Sequence, residues 1–229
     1  MGLYVNDSGT WREALEVSVK VFGGDDYYWR LAKKVEVKDS GVWRTVYPTA
    51  LNFSSATPGQ QNVTIPAGVT SIDMGIYGAG GGGGSAYHSG DRFGGGGGGS
   101  GGYLTSQTKA VAPGQVLIVT VASGGAGGYY PGFQAGGNSG APGGTSSVSS
   151  FGSWSFSATG GGGGSYVVGG GAGGSPNGVN GSNGTYPPDG VGGAGGNNGT
   201  GYGSGGRGGT ESSGSQGANG YVTIVNTPS

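Results

Sequence analysis

The chain has 229 residues, a formal net charge of −1 from 10 Lys+Arg against 11 Asp+Glu, and no cysteine. Charge this sparse and balanced leaves no electrostatic footprint for nucleic acid or for an anionic membrane surface. The missing thiols exclude disulfides, thiolate metal ligands and cysteine nucleophiles together.

Glycine supplies 63 residues, and only 9% of the chain is charged. Such a composition reads as disorder unless something can bury. Here 13 Tyr and 4 Trp, with apolar residues gathered into short runs, supply that material. The opening Met1-Gly2-Leu3-Tyr4-Val5-Asn6 has neither a basic n-region nor an apolar h-region. No apolar run reaches the length of a membrane span. A chain of this kind working outside a cell is expected to leave without a cleaved leader, as virion proteins do at lysis.

Residues 1–50 carry a repeat. Val5-Asn6-Asp7-Ser8-Gly9-Thr10-Trp11-Arg12 recurs as Val37-Lys38-Asp39-Ser40-Gly41-Val42-Trp43-Arg44, with a looser copy at Phe22–Arg30 that contains Trp29. Asp-Ser-Gly and Gly-Gly-Asp suit tight hairpin turns, so each copy predicts strand, turn, strand. The tryptophans then enter the second strand, and Trp11, Trp29 and Trp43 are the expected core of a small attachment or oligomerisation module. Leu15, Val17, Val19 and Val21 alternate with polar residues, as a half-buried strand does. Residues 29–35 (WRLAKKV) could form a helical turn; strand is favoured.

A polar link over 51–61 is expected to separate this module from residues 62–229, because 56 of the 63 glycines fall between 75 and 220. Strands are expected at Asn62–Ile65, at Thr70–Tyr77 with Ile72, Met74 and Ile76 on one face, at Gly102–Val111, at Gln115–Ala122 and at Gly220–Val225. Ser147–Thr159 adds one or two more. Pro66-Ala67-Gly68 and Ala112-Pro113-Gly114 are turn signals.

Glycine tracts run between these strands, at 78–84, 94–102, 160–174 and 190–209. Collagen is excluded because no strict Gly-X-Y period runs through them and only 10 prolines occur. Flexible linkers are one reading. The favoured one is polyglycine II, an extended left-handed helix whose lack of Cβ lets neighbours bond backbone to backbone and offset glycine's ordering entropy.

Chemistry for catalysis is thin. His88 is the only histidine, so no multi-histidine metal site can form. Ser89 and Asp91 beside it do not make a triad, since loop neighbours seldom face one another. Gly78–Gly83 matches a dinucleotide fingerprint only because the tract is nearly all glycine, and no helix former follows to supply the dipole. Asp73, Asp91, Asp189 and Glu211 offer no evident carboxylate pair. No cofactor, no metal and no enzymatic activity are expected.

The aromatics set between glycine tracts are the candidate binding residues: Tyr87, His88 beside it, Tyr129, Tyr130, Phe133, Tyr166, Tyr186 and Tyr202. Tyrosine gives large contact area at low entropic cost, which suits recognition. The alternative is that these rings cap the glycine bundle.

The sequence Pro66-Ala67-Gly68-Val69-Thr70-Ser71-Ile72 leads to Tyr77-Gly78-Ala79-Gly80, then to Gly101-Gly102-Tyr103-Leu104, Val111-Ala112-Pro113-Gly114-Gln115 and Gly217–Ile224. This pattern resembles the glycine-rich domain common in bacteriophage tail fibres, over about 62–225. A similar domain occurs in the extracellular part of certain animal receptor kinases. The N-terminal DSGxWR-type repeat resembles short modules of phage virion proteins.

The resemblance implies an all-β fold: a β-sandwich of jelly-roll type bearing interleaved polyglycine II helices. It implies a virion tail-fibre or receptor-binding protein attached through its N-terminal module, associating with other virion proteins and as a homo-oligomer, a trimer being favoured. Its loops would meet a bacterial surface protein or glycan, with no nucleic acid and no membrane insertion. The alternatives are a purely structural virion subunit and a secreted glycine-rich binding protein.

Overall fold

A computed structural model describes residues 4–227 except 8–9, 14–17, 24–25, 32–34, 40–41, 48–49, 89–91, 133–135, 152, 187–190 and 199–200. Up to residue 49 and over 87–92 the description is of backbone pairing alone.

Six strands form three antiparallel hairpins in the first 47 residues: β1 (Tyr4–Asp7) with β2 (Thr10–Glu13), β3 (Ser18–Gly23) with β4 (Asp26–Leu31), and β5 (Val35–Asp39) with β6 (Val42–Tyr47). The paired strands of the expected repeat are therefore present three times, and its turn residues lie outside the described residues. Trp11 pairs with Asn6 and Trp43 with Lys38, the same register in both copies, while Trp29 pairs with Lys20. Whether the three indoles share a core lies outside the described residues.

The remaining strands are β7 (Asn52–Ser55), β8 (Gly59–Thr64), β9 (Ser71–Tyr77), β10 (Tyr87–His88), β11 (Arg92–Phe93), β12 (Tyr103–Ala110), β13 (Val116–Val121), β14 (Ser146–Ser150), β15 (Trp154–Ala158) and β16 (Tyr221–Asn226). The stretch 51–61, expected as a link, thus holds β7 and the start of β8. Two four-stranded antiparallel sheets result, in the orders β12-β9-β16-β7 and β15-β14-β13-β8.

The two sheets face each other as a β-sandwich. Alternate residues of β9 and β16 turn Ile72, Met74, Ile76, Val222 and Ile224 inward. These meet Val63, Leu117, Val119, Val121 and Val148 of the second sheet in one core cluster. All five residues of the first set are 1% exposed or less. The fold is all-β, with no α-helix among the described residues.

On one end of this sandwich stands a lattice of glycine helices. Successive N–H groups along 78–86 point in three directions that repeat every third residue, as three residues per turn require. Gly81 donates to Gly99 O, Gly82 to Ala141 O and Gly83 to Ser215 O, each at 2.9 Å. Gly84, Ser85 and Ala86 repeat the cycle onto Gly96, Asn138 and Ser212. The carbonyls point in three further directions: Gly80, Gly81 and Gly82 O accept from Gly125, Gly206 and Gly164 N–H. Segment 78–86 is therefore ringed by six others, three antiparallel and three parallel.

Segment 94–102 is ringed in the same way, donating toward 179–185, 203–209 and 159–165 and accepting from 78–84, 169–174 and 191–196. Two neighbouring hexagonal centres share two members of their rings, which leaves eight outer segments: 123–128, 137–144, 159–165, 169–174, 178–185, 191–196, 203–209 and 212–218. Hydrogen bonds link each of these to the next, antiparallel, and 212–218 back to 123–128 through Gly214 and Gly217 N–H onto Gly128 and Gly125 O. The ring runs in chain order and closes. Both central segments are buried along their whole length.

Glycine is a steric requirement here. A Cβ on Gly82, Gly97 or Gly163 would land on the carbonyl of Ala126, Ala194 or Gly140. Apart from Gly201 and Gly203, the described tract glycines keep the negative φ sense. Positive values fall at Gly59, Gly68, Gly114, Gly132, Gly201 and Gly203, in or beside turns and element starts.

Candidate functional site

The lattice has two ends, and the chain's direction through it decides what each carries. Segments 78–86, 123–128 and 159–165 leave strands β9, β13 and β15, while 94–102, 137–144 and 212–218 lead back into β12, β14 and β16. The sandwich end is thereby fixed. Of the described residues, the far end holds 87–88, 92–93, 129–132, 136, 166–168, 186 and 210–211.

Tyr87, His88, Tyr129, Tyr130, Tyr166 and Tyr186 all belong to these far connections. The structure brings six of the eight candidate positions to one tip. Tyr87 and His88 form β10, paired with Phe93 and Arg92 of β11; of their side chains nothing is described. Phe133 lies outside the described residues. Tyr129 and Tyr186 are each 66% exposed, and Tyr166 and Val167 are exposed beside them.

The tip loops also touch one another. Phe93, unmarked by the sequence reading, meets Tyr186 edge-on with ring centroids 6.0 Å apart. Tyr130 N–H donates to Ser213 Oγ at 2.9 Å, tying the 129–136 loop to the start of the last segment. The turn at 166–168 is tight: Gly169 N–H reaches Val167 O, and Val168 sits at φ 61°, a region that costs a β-branched residue energy.

Tyr202 is the exception. It lies in the 197–202 connection, at the sandwich end, where its ring stacks on Tyr221 of β16 at 4.0 Å and 8°. Tyr221 is 6.2 Å from Tyr77, which stacks on Tyr103 at 5.9 Å. Tyr202 therefore covers the joint between lattice and sheet, where the sequence reading placed it with the binding residues.

The dinucleotide-like match at Gly78–Gly83 sits in the lattice centre with each N–H bonded to a neighbouring carbonyl, so no amide is left to cradle a phosphate. Among the described residues no group of three or more His, Cys, Asp or Glu could hold a metal ion, and no helix is long and apolar enough to cross a membrane.

Residues 55–227 match the family described as a glycine-rich domain. No curated protein matches the chain.

Proposed function

The chain belongs to the glycine-rich domain family, and on that footing we propose that it is a non-enzymatic bacteriophage tail-fibre or receptor-binding protein. In this reading the N-terminal hairpins, through Trp11, Trp29 and Trp43, attach it to other virion proteins or to further copies in a homotrimer. The glycine lattice holds the tip loops out toward a bacterial surface protein or glycan, and the protein works on the particle surface.

One observation carries this reading: tyrosine-bearing loops gather at the end of the lattice away from the sandwich, on a frame whose centre is hydrogen-bonded in six directions. Loops anchored at both ends on a stiff scaffold bind with less ordering cost than free ones. The exposed rings of Tyr129 and Tyr186 supply contact area without supporting the core.

The test uses the labelled full chain on host cells, and phage carrying the same change. Tyr129→Ala with Tyr130→Ala is expected to leave the melting temperature unchanged and to lower adsorption. Unchanged adsorption would favour a purely structural virion role. Lower adsorption with a lower melting point would make these rings caps.

A further inference from the structure

A ring segment that runs parallel to its central neighbour has two sets of N–H groups aimed away from it, where no further segment stands, and one of these sets faces the side chains of the next segment. Most groups of that set are capped by a side chain from the next segment. Asn183 Oδ1 accepts from Gly170 N–H at 2.9 Å and Asn180 Oδ1 from Gly173 N–H at 2.7 Å. Thr210 Oγ1 accepts from Gly192 N–H at 2.8 Å, and Asn219 Oδ1 from Gly124 N–H at 3.1 Å.

The register is antiparallel, so moving three residues up one segment moves three down the other, as Asn183–Gly170 and Asn180–Gly173 show. Applied to Thr210–Gly192, it puts Arg207 opposite Gly195. Applied to Asn219–Gly124, it puts Gln216 opposite Gly127. Neither caps: Gly195 and Gly127 N–H have no hydrogen bond among the described residues. Arginine has no acceptor to offer.

Arg207 and Gln216 line one groove on the flank of the lattice, with Ser204, Ser215 and Asn219. Among the described residues no carboxylate lines it. A second groove, holding Thr210, Ser212 and Ser213, continues past Arg207 toward the tip. The backbone of Arg207 is fixed, since its N–H donates to Ser215 Oγ and its carbonyl accepts from Ser215 N–H.

We propose that this flank, centred on Arg207, binds an acidic saccharide through its carboxylate or phosphate. On a backbone held in place, the guanidinium of Arg207 and the side-chain amide of Gln216 supply donors to this groove, which an anion accepts from. The flanking serine and threonine hydroxyls suit the neutral hydroxyls of a sugar. The site is centred on the flank below the tip, which it reaches at Thr210, and does not rest on the role of the tip tyrosines.

Ligand-observed NMR on the full chain tests this with three probes: a glucuronate disaccharide, mannose 6-phosphate and neutral glucose. Saturable binding of at least one acidic probe and none of glucose is expected, and which acidic probe binds separates carboxylate from phosphate. The informative variant is Arg207→Asn, which places a capping residue opposite Gly195. Its melting temperature should hold or rise, while acidic-probe affinity falls by at least about tenfold, as loss of a hydrogen bond to a charged group gives. Failure of both acidic probes, equal binding of glucose, or unchanged affinity in Arg207→Asn would overturn the proposal.

Discussion

Substituting Gly163 tests the lattice most directly. Its Cβ would fall on Gly140 O, a backbone atom of the neighbouring segment that cannot rotate away. Relief requires 137–144 and 159–165 to part, and their contact rests on Gly140 N–H to Gly164 O and Gly143 N–H to Gly161 O. Two bonds at about 1 kcal/mol net each, with about 1–3 kcal/mol for the forced overlap, make Gly163→Ala cost about 3–5 kcal/mol. In a domain of this size that lowers the melting temperature by roughly 6–20 °C. Gly136 is the control: nothing stands within 4 Å of its Cβ position, so Gly136→Ala should stay within about 0.5 kcal/mol. Thermal and urea denaturation measure both. Equal stability of the two variants would refute the close-packed lattice and return the tracts to linkers.

Further variants separate the parts of the fold. Asn180→Ala with Asn183→Ala uncaps Gly173 and Gly170, so those two amides should exchange hydrogen faster in NMR while the central segments stay protected. Tyr202→Ala removes the stack on Tyr221 and should cost about 0.5–1.5 kcal/mol beyond the lost burial, with no change in adsorption. Ile76→Ala, at a fully buried core position, should cost about 2–5 kcal/mol in urea denaturation.

Strand β9 was legible because Ile72, Met74 and Ile76 alternate with Ser71, Asp73 and Gly75, and the sheet buries the apolar set. Strand β7 was not, because Asn52-Phe53-Ser54-Ser55 has one apolar residue; its pairing with β16 makes it a strand. The period of the lattice was also present and missed, because a single Gly-X-Y repeat was sought across all tracts. It is local. Glycine recurs at 178, 181 and 184 and at 214, 217 and 220, while two of three positions are glycine over 124–129, 170–175, 192–197 and 205–210.

The two local patterns follow from direction. Among ring segments touching one central helix, 123–128, 169–174 and 191–196 run parallel to it and donate N–H groups to it. These carry two glycines in three. Segments 137–144, 178–185 and 212–218 run antiparallel, present carbonyls to it, and hold glycine at every third position, with Gly144 the one addition. Tyr186 and Tyr202 look alike in sequence, each between two tracts. Only counting the crossings, alternately up and down, sends the first to the tip and the second to the sandwich.

This phase makes a length change more informative than a substitution. Inserting Asn-Gly-Ser between Ser182 and Asn183 adds one full turn and keeps glycine at every third position. The segment then supplies equivalent residues to the same partners, and the 186–190 loop moves outward by about 9 Å, three residues at about 3.1 Å each. Its cost is a looser tip and the loss of the Phe93–Tyr186 contact, about 1–2 kcal/mol together. Inserting Ser alone at the same place is a smaller change in length and should be the worse one. Sliding one way puts Asn183 in the Gly184 position, with its Cβ on Gly94 O; sliding the other puts Ser182 in the Gly181 position, on Gly97 O. Either carries the overlap argued for Gly163, about 3–5 kcal/mol. Melting curves of the two insertions decide it, and adsorption of the three-residue insertion shows whether the position of Tyr186 matters to the host contact. A three-residue insertion as damaging as the single serine would mean that the segment does not hold its threefold register.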